Sequence, residues 1–201
     1  MKEEQIVESA RRLFGKYGYK RVSMDEIARE ANVTKRTVYT YFKSKEDILK
    51  YFLNEEVQNM KKIVEEIEKE KKSFFENLHK TICELMKYTE KRNFLQIIFE
   101  ESESFKNPVI IENLKVIHLA IQNYIKEKLQ IAVEKGQIVV PNIDVMAFLI
   151  YKMYVALLFE WSEDKGRIDE KLVADTIINL LKNGLDYKNN KGVIDEWTRR
   201  K

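Results

Sequence analysis

Residues 22–48, VSMDEIAREANVTKRTVYTYFKSKEDI, constrain this chain more than any other stretch, because they encode two short helices and a tight turn between them. Ser23 followed three residues later by Glu26 has the spacing of a capping box, in which each side chain satisfies a backbone N–H at a helix start. Met24, Ile27, Ala28 and Ala31 then fall at i, i+3, i+4 and i+7, a single apolar stripe at helical period. Asn32 tolerates the left-handed backbone that ends a helix, and Thr34 has the chemistry to cap the next one. Two helices meeting at a sharp turn are predicted.

Within the second helix Val38 and Phe42 are four residues apart and are predicted to face inward, which puts Lys35, Arg36, Tyr39 and Thr40 on the opposite side. That face is cationic and rich in hydroxyl groups. Lysine and arginine donate to guanine O6 and N7 in the major groove, while hydroxyl and aromatic groups reach phosphates and thymine methyls. A basic helical face is more often merely solvated, so the weight rests on the joint pattern of cap, stripe, turn and basic helix. The pattern predicts a helix-turn-helix that reads DNA.

The run Val33-Thr34-Lys35-Arg36-Thr37-Val38-Tyr39-Thr40-Tyr41-Phe42-Lys43-Ser44-Lys45-Glu46-Asp47-Ile48 resembles the signature of tetracycline-repressor (TetR) family regulators. The preceding segment, LFGKYGYKRVSMDEIAREANV, is similar to that family's first two helices, with Ile6, Ala10, Leu13, Phe14 and Tyr17 as a helical stripe and Gly15 and Gly18 at its end. The resemblance implies that Thr34, Lys35, Arg36 and Tyr39 approach bases or nearby phosphates, with Thr40 on the same face. It also implies that Thr37, Tyr41, Lys45 and Ser23 hold the DNA backbone. Lys45 opens a further helix, where the dipole already attracts phosphate. The resemblance covers about the first quarter of the chain.

The 201 residues, 44% hydrophobic with only 6 Gly and 2 Pro, favour an all-α fold with a sizeable core. We divide it into an N-terminal three-helix helix-turn-helix DNA-binding domain, residues 1–47, and a C-terminal helical ligand-binding and dimerisation domain, residues 48–201. Residues 1–50 carry 12 Lys/Arg against 8 Asp/Glu, a net +4, whereas the rest balances to −1 from 24 against 25. A head of +4 binds DNA weakly alone, so tight binding calls for two copies. A single cysteine, Cys83, excludes an internal disulfide and a cysteine-rich zinc site. The start MKEEQIVES lacks the apolar segment of a signal peptide, and Met146 to Trp161 falls short of the ~20 residues that span a bilayer, so a cytoplasmic protein is expected.

Further helices are expected from Ser44 to about Lys72, from the Ser73/Glu76 capping box, from Asn93, and from Asn107-Pro108 to Gly136 with Ile111, Leu114, Ile117, Ile121, Tyr124, Ile125 and Leu129 inward. The last two, about Asp144 to Ser162 and Asp169 to Tyr187, include one that is apolar nearly all round and needs burial on more than one side. The resemblance implies that these two pair with their copies in a homodimer. A polar tail, with a short helix around Val193, Ile194 and Trp197 as one option, would follow.

The resemblance also implies a small-molecule effector among the middle helices, for which Phe75, Cys83, Met86, Phe94, His118, Tyr124, Tyr151 and Trp161 are candidates. So few inward charges favour a largely apolar or aromatic effector, with His118 and Tyr124 as polar handles. No metal or cofactor site and no enzymatic activity are expected: His79 and His118 lack ligand spacing, Glu100, Glu101 and Glu103 read as solvated surface, and no base for Cys83 is evident. The expected function is a homodimeric repressor released from a palindromic, double-stranded operator by its effector. The rival is a carrier of hydrophobic molecules that keeps a helix-turn-helix without using it on DNA.

Overall fold

The computed structural model describes residues 2–104, 106–161 and 168–185. Every regular element among them is helical: α1 (Lys2–Tyr17), α2 (Met24–Glu30), α3 (Lys35–Tyr41), α4 (Lys45–Glu68), α5 (Phe74–Glu90), α6 (Asn93–Ser104), α7 (Pro108–Glu134), α8 (Ile143–Val155), a π-helical turn (Ala156–Glu160) and α9 (Glu170–Leu185). No described helix is long and apolar enough to cross a membrane. The tail with Val193, Ile194 and Trp197, and the ends expected at Ser162 and Tyr187, lie outside the described residues.

By its internal contacts the chain divides into two compact units, one of Met1–Met60 with Thr89–His118 and one of Lys61–Tyr88 with Leu119–Lys201. The first therefore contains residues 1–47 and adds segments of α4, α6 and α7. Its core joins Ile6, Ala10 and Phe14 of α1 to Ile27, Val38, Ile48, Leu49 and Phe52, with Phe94, Ile98 and Ile110 from the later helices. Phe14 stacks obliquely on Tyr19 and Phe52 at 5.2 and 5.6 Å between ring centres. Tyr17, expected in the α1 stripe, is instead about half exposed, with Lys16 5.0 Å from its ring. The second unit gathers Ile82, Cys83 and Met86 of α5 with Leu129 and Ala132 of α7, Ala147 and Ile150 of α8, and Val173, Ala174, Ile177 and Leu181 of α9.

Local chemistry sets the helix ends. Glu70 and Lys71 donate to the carbonyls of Ile67 and Glu68, Lys71 turns left-handed at φ 54°, and the Ser73/Glu76 box starts α5, so α4 stops four residues short of Lys72. The box competes successfully with helix continuation. Replacing Ser73 with Ala should remove about 1 kcal/mol. A thermal melt should then fall by roughly 2–4 °C. Asn107 Oδ1 accepts from Val109 N–H at 3.1 Å and starts α7, but Ile110 is the fully buried residue while Ile111 is exposed. Farther along, Leu114, Ile117, Ile125 and Leu129 pack inward as expected, so the departure is confined to the first turn of the helix.

Candidate nucleic-acid interface

The reading head is built as its caps require. Ser23 Oγ accepts from Glu26 N–H at 3.3 Å and the Glu26 carboxylate accepts from Ser23 N–H at 2.8 Å, which starts α2. Ser23 Oγ–H also donates to that carboxylate at 2.7 Å, and this bond, with the one from Ser23 N–H, holds the Glu26 carboxyl below its usual pKa range. Asn32, at φ 51°, makes the turn, and Thr34 caps α3 by accepting from Thr37 N–H at 3.1 Å. Val38 is fully buried and Phe42 nearly so, leaving Thr34, Lys35, Arg36, Tyr39, Thr40 and Tyr41 exposed and Thr37 half-buried. One short helix therefore presents two cations and several hydroxyl groups away from the core. Ser23 is exposed at the start of α2.

The caps also qualify what the hydroxyls offer. Thr34 and Thr37 are hydrogen-bonded to each other at 2.8 Å, and Thr40 donates to the Arg36 carbonyl at 2.9 Å. Their remaining lone pairs and donors are what DNA would meet. Lys35 Nζ lies 2.7 Å from Asp25 Oδ1 on α2, a partner absent from the sequence reading, and this bond raises the lysine pKa. Both side chains are more than half exposed, so the pair contributes little to stability and leaves Lys35 free to exchange partners.

Lys45 behaves differently from the expected phosphate contact. Its ammonium donates to the carbonyls of Tyr19 at 2.7 Å and Val22 at 2.8 Å, with Lys20 O at 3.5 Å, and it sits 4.3 Å from the Tyr19 ring centre. All three donors face the chain's own loop. Burial pushes its pKa down, against the pull of Glu101 and Glu26. A lysine at the start of a helix reads as a surface cation in sequence, and nothing local reveals that residues 19–22 fold back over it.

Residues 6–52 match the family of bacterial regulatory proteins called the tetR family. The HTH-type transcriptional regulator YhgD of Bacillus subtilis (strain 168) is 28% identical over 184 residues, covering 92% of this chain and 96% of that one. Residues 6–52 thus carry the helix-turn-helix of the TetR family. The fold of the chain agrees. A protein from Syntrophomonas wolfei assigned to the TetR-family transcriptional regulators superposes with a TM-score of 0.79 at 21% identity, over 90% of this chain and 93% of that one. FadR of Bacillus subtilis, solved in complex with stearoyl-CoA, gives 0.71 at 24% identity over 89% and 96%. The chain is a DNA-binding transcriptional regulator with an N-terminal helix-turn-helix and a helical C-terminal region.

The residues expected around an effector are distributed over both units. Phe75, Cys83, Met86, Tyr124, Tyr151 and Trp161 belong to the second unit, His118 to the first. Phe94 is placed elsewhere than expected: its ring meets Phe52 edge-on at 4.9 Å, with the Arg11 guanidinium 5.6 Å away, in the core of the first unit. Met86 and Tyr151 are buried, and burial pushes the Tyr151 hydroxyl pKa up. Tyr124 carries lysines on its ring, Lys61 Nζ at 5.5 Å and Lys128 Nζ at 5.0 Å, and Lys128 also pairs with Glu68 at 2.7 Å. Lys128 lies four residues after Tyr124, a spacing that could have announced the pair.

Cys83 has neighbours that the sequence did not identify. His79, one turn earlier on α5, holds Asp175 Oδ1 at 2.9 Å through Nε2 and brings Nδ1 to 4.0 Å from the thiol, while the Glu170 carbonyl lies 3.7 Å from Sγ. Burial pushes the thiol pKa up, so the sulfur stays protonated at neutral pH. A protonated, buried thiol is a poor nucleophile.

Proposed function

We propose that this regulator is a homodimeric repressor of the TetR family whose α3 helices read an approximately palindromic operator and whose release follows binding of a small, largely apolar effector. The observation that carries the reading is the outward face of α3, where Lys35, Arg36, Tyr39 and Thr40 stand clear of a core that takes Val38 and Phe42. Residues 1–47 act as the reading head and residues 48–201 as the effector and dimerisation region. Thr34, Lys35, Arg36, Tyr39 and Thr40 meet base edges or adjacent phosphates, and Ser23, Thr37 and Tyr41 hold the backbone. The dimer forms through α8 and α9, whose outward apolar side chains support it. The protein works in the cytoplasm and has no catalytic role; Cys83, protonated and buried, supports the latter.

An apolar effector is supported by the aromatic and Met-rich second unit, and by the stearoyl-CoA complex of FadR, a protein of the same fold. The effector lowers DNA affinity by as much as it distinguishes two conformers of the protein. Selection of fragments from genomic DNA tests the central claim. Fragments enriched on the protein should share a palindrome with half-sites roughly 34–36 Å apart, or a multiple of one turn. Enrichment of no common sequence would leave the carrier of hydrophobic molecules as the better reading.

A further inference from the structure

Glu101, read from the sequence as one of several solvated acids on α6, is only 7% exposed. Its carboxylate points at the loop of residues 18–22, which joins α1 to α2. Oε1 lies 3.5 Å from Lys20 N–H. The same oxygen occupies the space that a Cβ on Gly18 would need, and Gly18 holds a left-handed φ of 81° that other residues resist. From the opposite helix, the Lys45 ammonium takes the carbonyls of Tyr19 and Val22. A five-residue loop is thus held between one anion and one cation that reach it from two different helices.

We propose that Glu101 is a positioning residue for DNA reading: with Lys45 it fixes the loop of residues 18–22, and so the point from which α2 and α3 set out. The inference rests on the DNA-reading role proposed for α3. The loop ends at Ser23, whose capping box starts α2, and α2 packs directly against α3. A shift of the loop therefore moves both helices, and groove reading tolerates little displacement. Removing the Glu101 charge also leaves the half-buried Lys45 ammonium with Glu26 alone as a neighbouring anion, which weakens the second hold on the same loop. Tyr19 belongs to the same cluster: burial first, then the charges of Glu46, Glu101 and Asp47, push its pKa up to about 12. Oε2 of Glu101 is buried with no hydrogen-bond partner among the described residues, so the carboxylate is held there by its place in the fold rather than by a full set of bonds.

The test uses the full-length protein, a duplex enriched by the wild type from genomic fragments, and the variants Glu101→Gln, Glu101→Ala and Lys45→Met. Glu101→Gln should weaken binding on the order of 10-fold, within the range by which residues remote from a ligand alter its affinity. Glu101→Ala should weaken it further. The slope of log affinity against log salt should stay that of the wild type, because no phosphate contact is lost. Hydrogen exchange of the amides in residues 18–23 should speed up in Glu101→Gln while α5 and α8 keep their protection. Glu101→Gln combined with Lys45→Met should cost less than the two single losses added, since both act on one loop.

A Glu101→Gln protein that binds like the wild type overturns the proposal. So does one whose salt slope becomes shallower, which would make Glu101 part of the contact surface, or one whose exchange quickens throughout, which would make it a general stability residue. A wild type that enriches no duplex overturns the DNA-reading role and this proposal together.

Discussion

Leu180→Glu is expected to leave each chain folded, convert the protein to a monomer at micromolar concentration, and lower operator affinity at least ~100-fold. Leu180 is 63% exposed on α9, and Leu172 eight residues earlier is 58% exposed on the same side, with Thr176 between them also exposed. On α8, Val145, Phe148 and Leu149 stand outward at i, i+3 and i+4. Two adjacent helices of the second unit thus each bury one face in its core and show an apolar stripe on another. Burying a leucine contributes about 1.5–3 kcal/mol, and two-fold symmetry counts it twice. A glutamate there would bring an unpaired charge into the same place. Sedimentation and circular dichroism check the monomer and its fold, and anisotropy on the selected duplex reads the affinity. A variant that remains dimeric moves the interface off α8 and α9.

Arg36→Ala and Lys35→Ala should each cost about 1–3 kcal/mol of operator affinity and little on random duplex at the same salt. Arg36 is exposed on α3, and Lys35 is shared only with exposed Asp25, so neither leaves a buried partner behind when removed. The loss in binding is therefore a loss of DNA contacts and not of the head's stability. Equal losses on operator and random DNA would make both residues phosphate contacts, and no loss on either would remove α3 from the reading surface.

The caps and stripes of the first fifty residues were readable because each is a local event: Ser23 with Glu26, Asn32 at the turn, Thr34 ahead of α3, Val38 and Phe42 inward. What failed to show in the sequence depends on partners distant along the chain. Lys45 looks like a surface cation until residues 19–22 fold across it, and Glu101 looks solvated until it meets Gly18 and also Lys20, the latter 81 residues away in sequence. Phe94 has the composition of a ligand pocket, and only Phe52 and Arg11 reveal it as core. Register at the start of a long apolar helix is the other blind spot. In α7 two adjacent isoleucines compete for one inward position, and periodicity alone chose Ile111 where the fold buries Ile110.

The π-helical turn of Ala156–Glu160, closed by Trp161 N–H on the Ala156 carbonyl, holds one residue more than an ordinary helical turn would. Each residue advances an α-helix by about 100°. Trp161, which follows the turn, is consequently rotated by that angle relative to the regular wheel that begins at Ile143. A shortened variant lacking one of these five residues would regularise the helix while leaving Trp161 on the side it now occupies, so chains differing by a single residue at this point should be aligned by helical phase rather than by length.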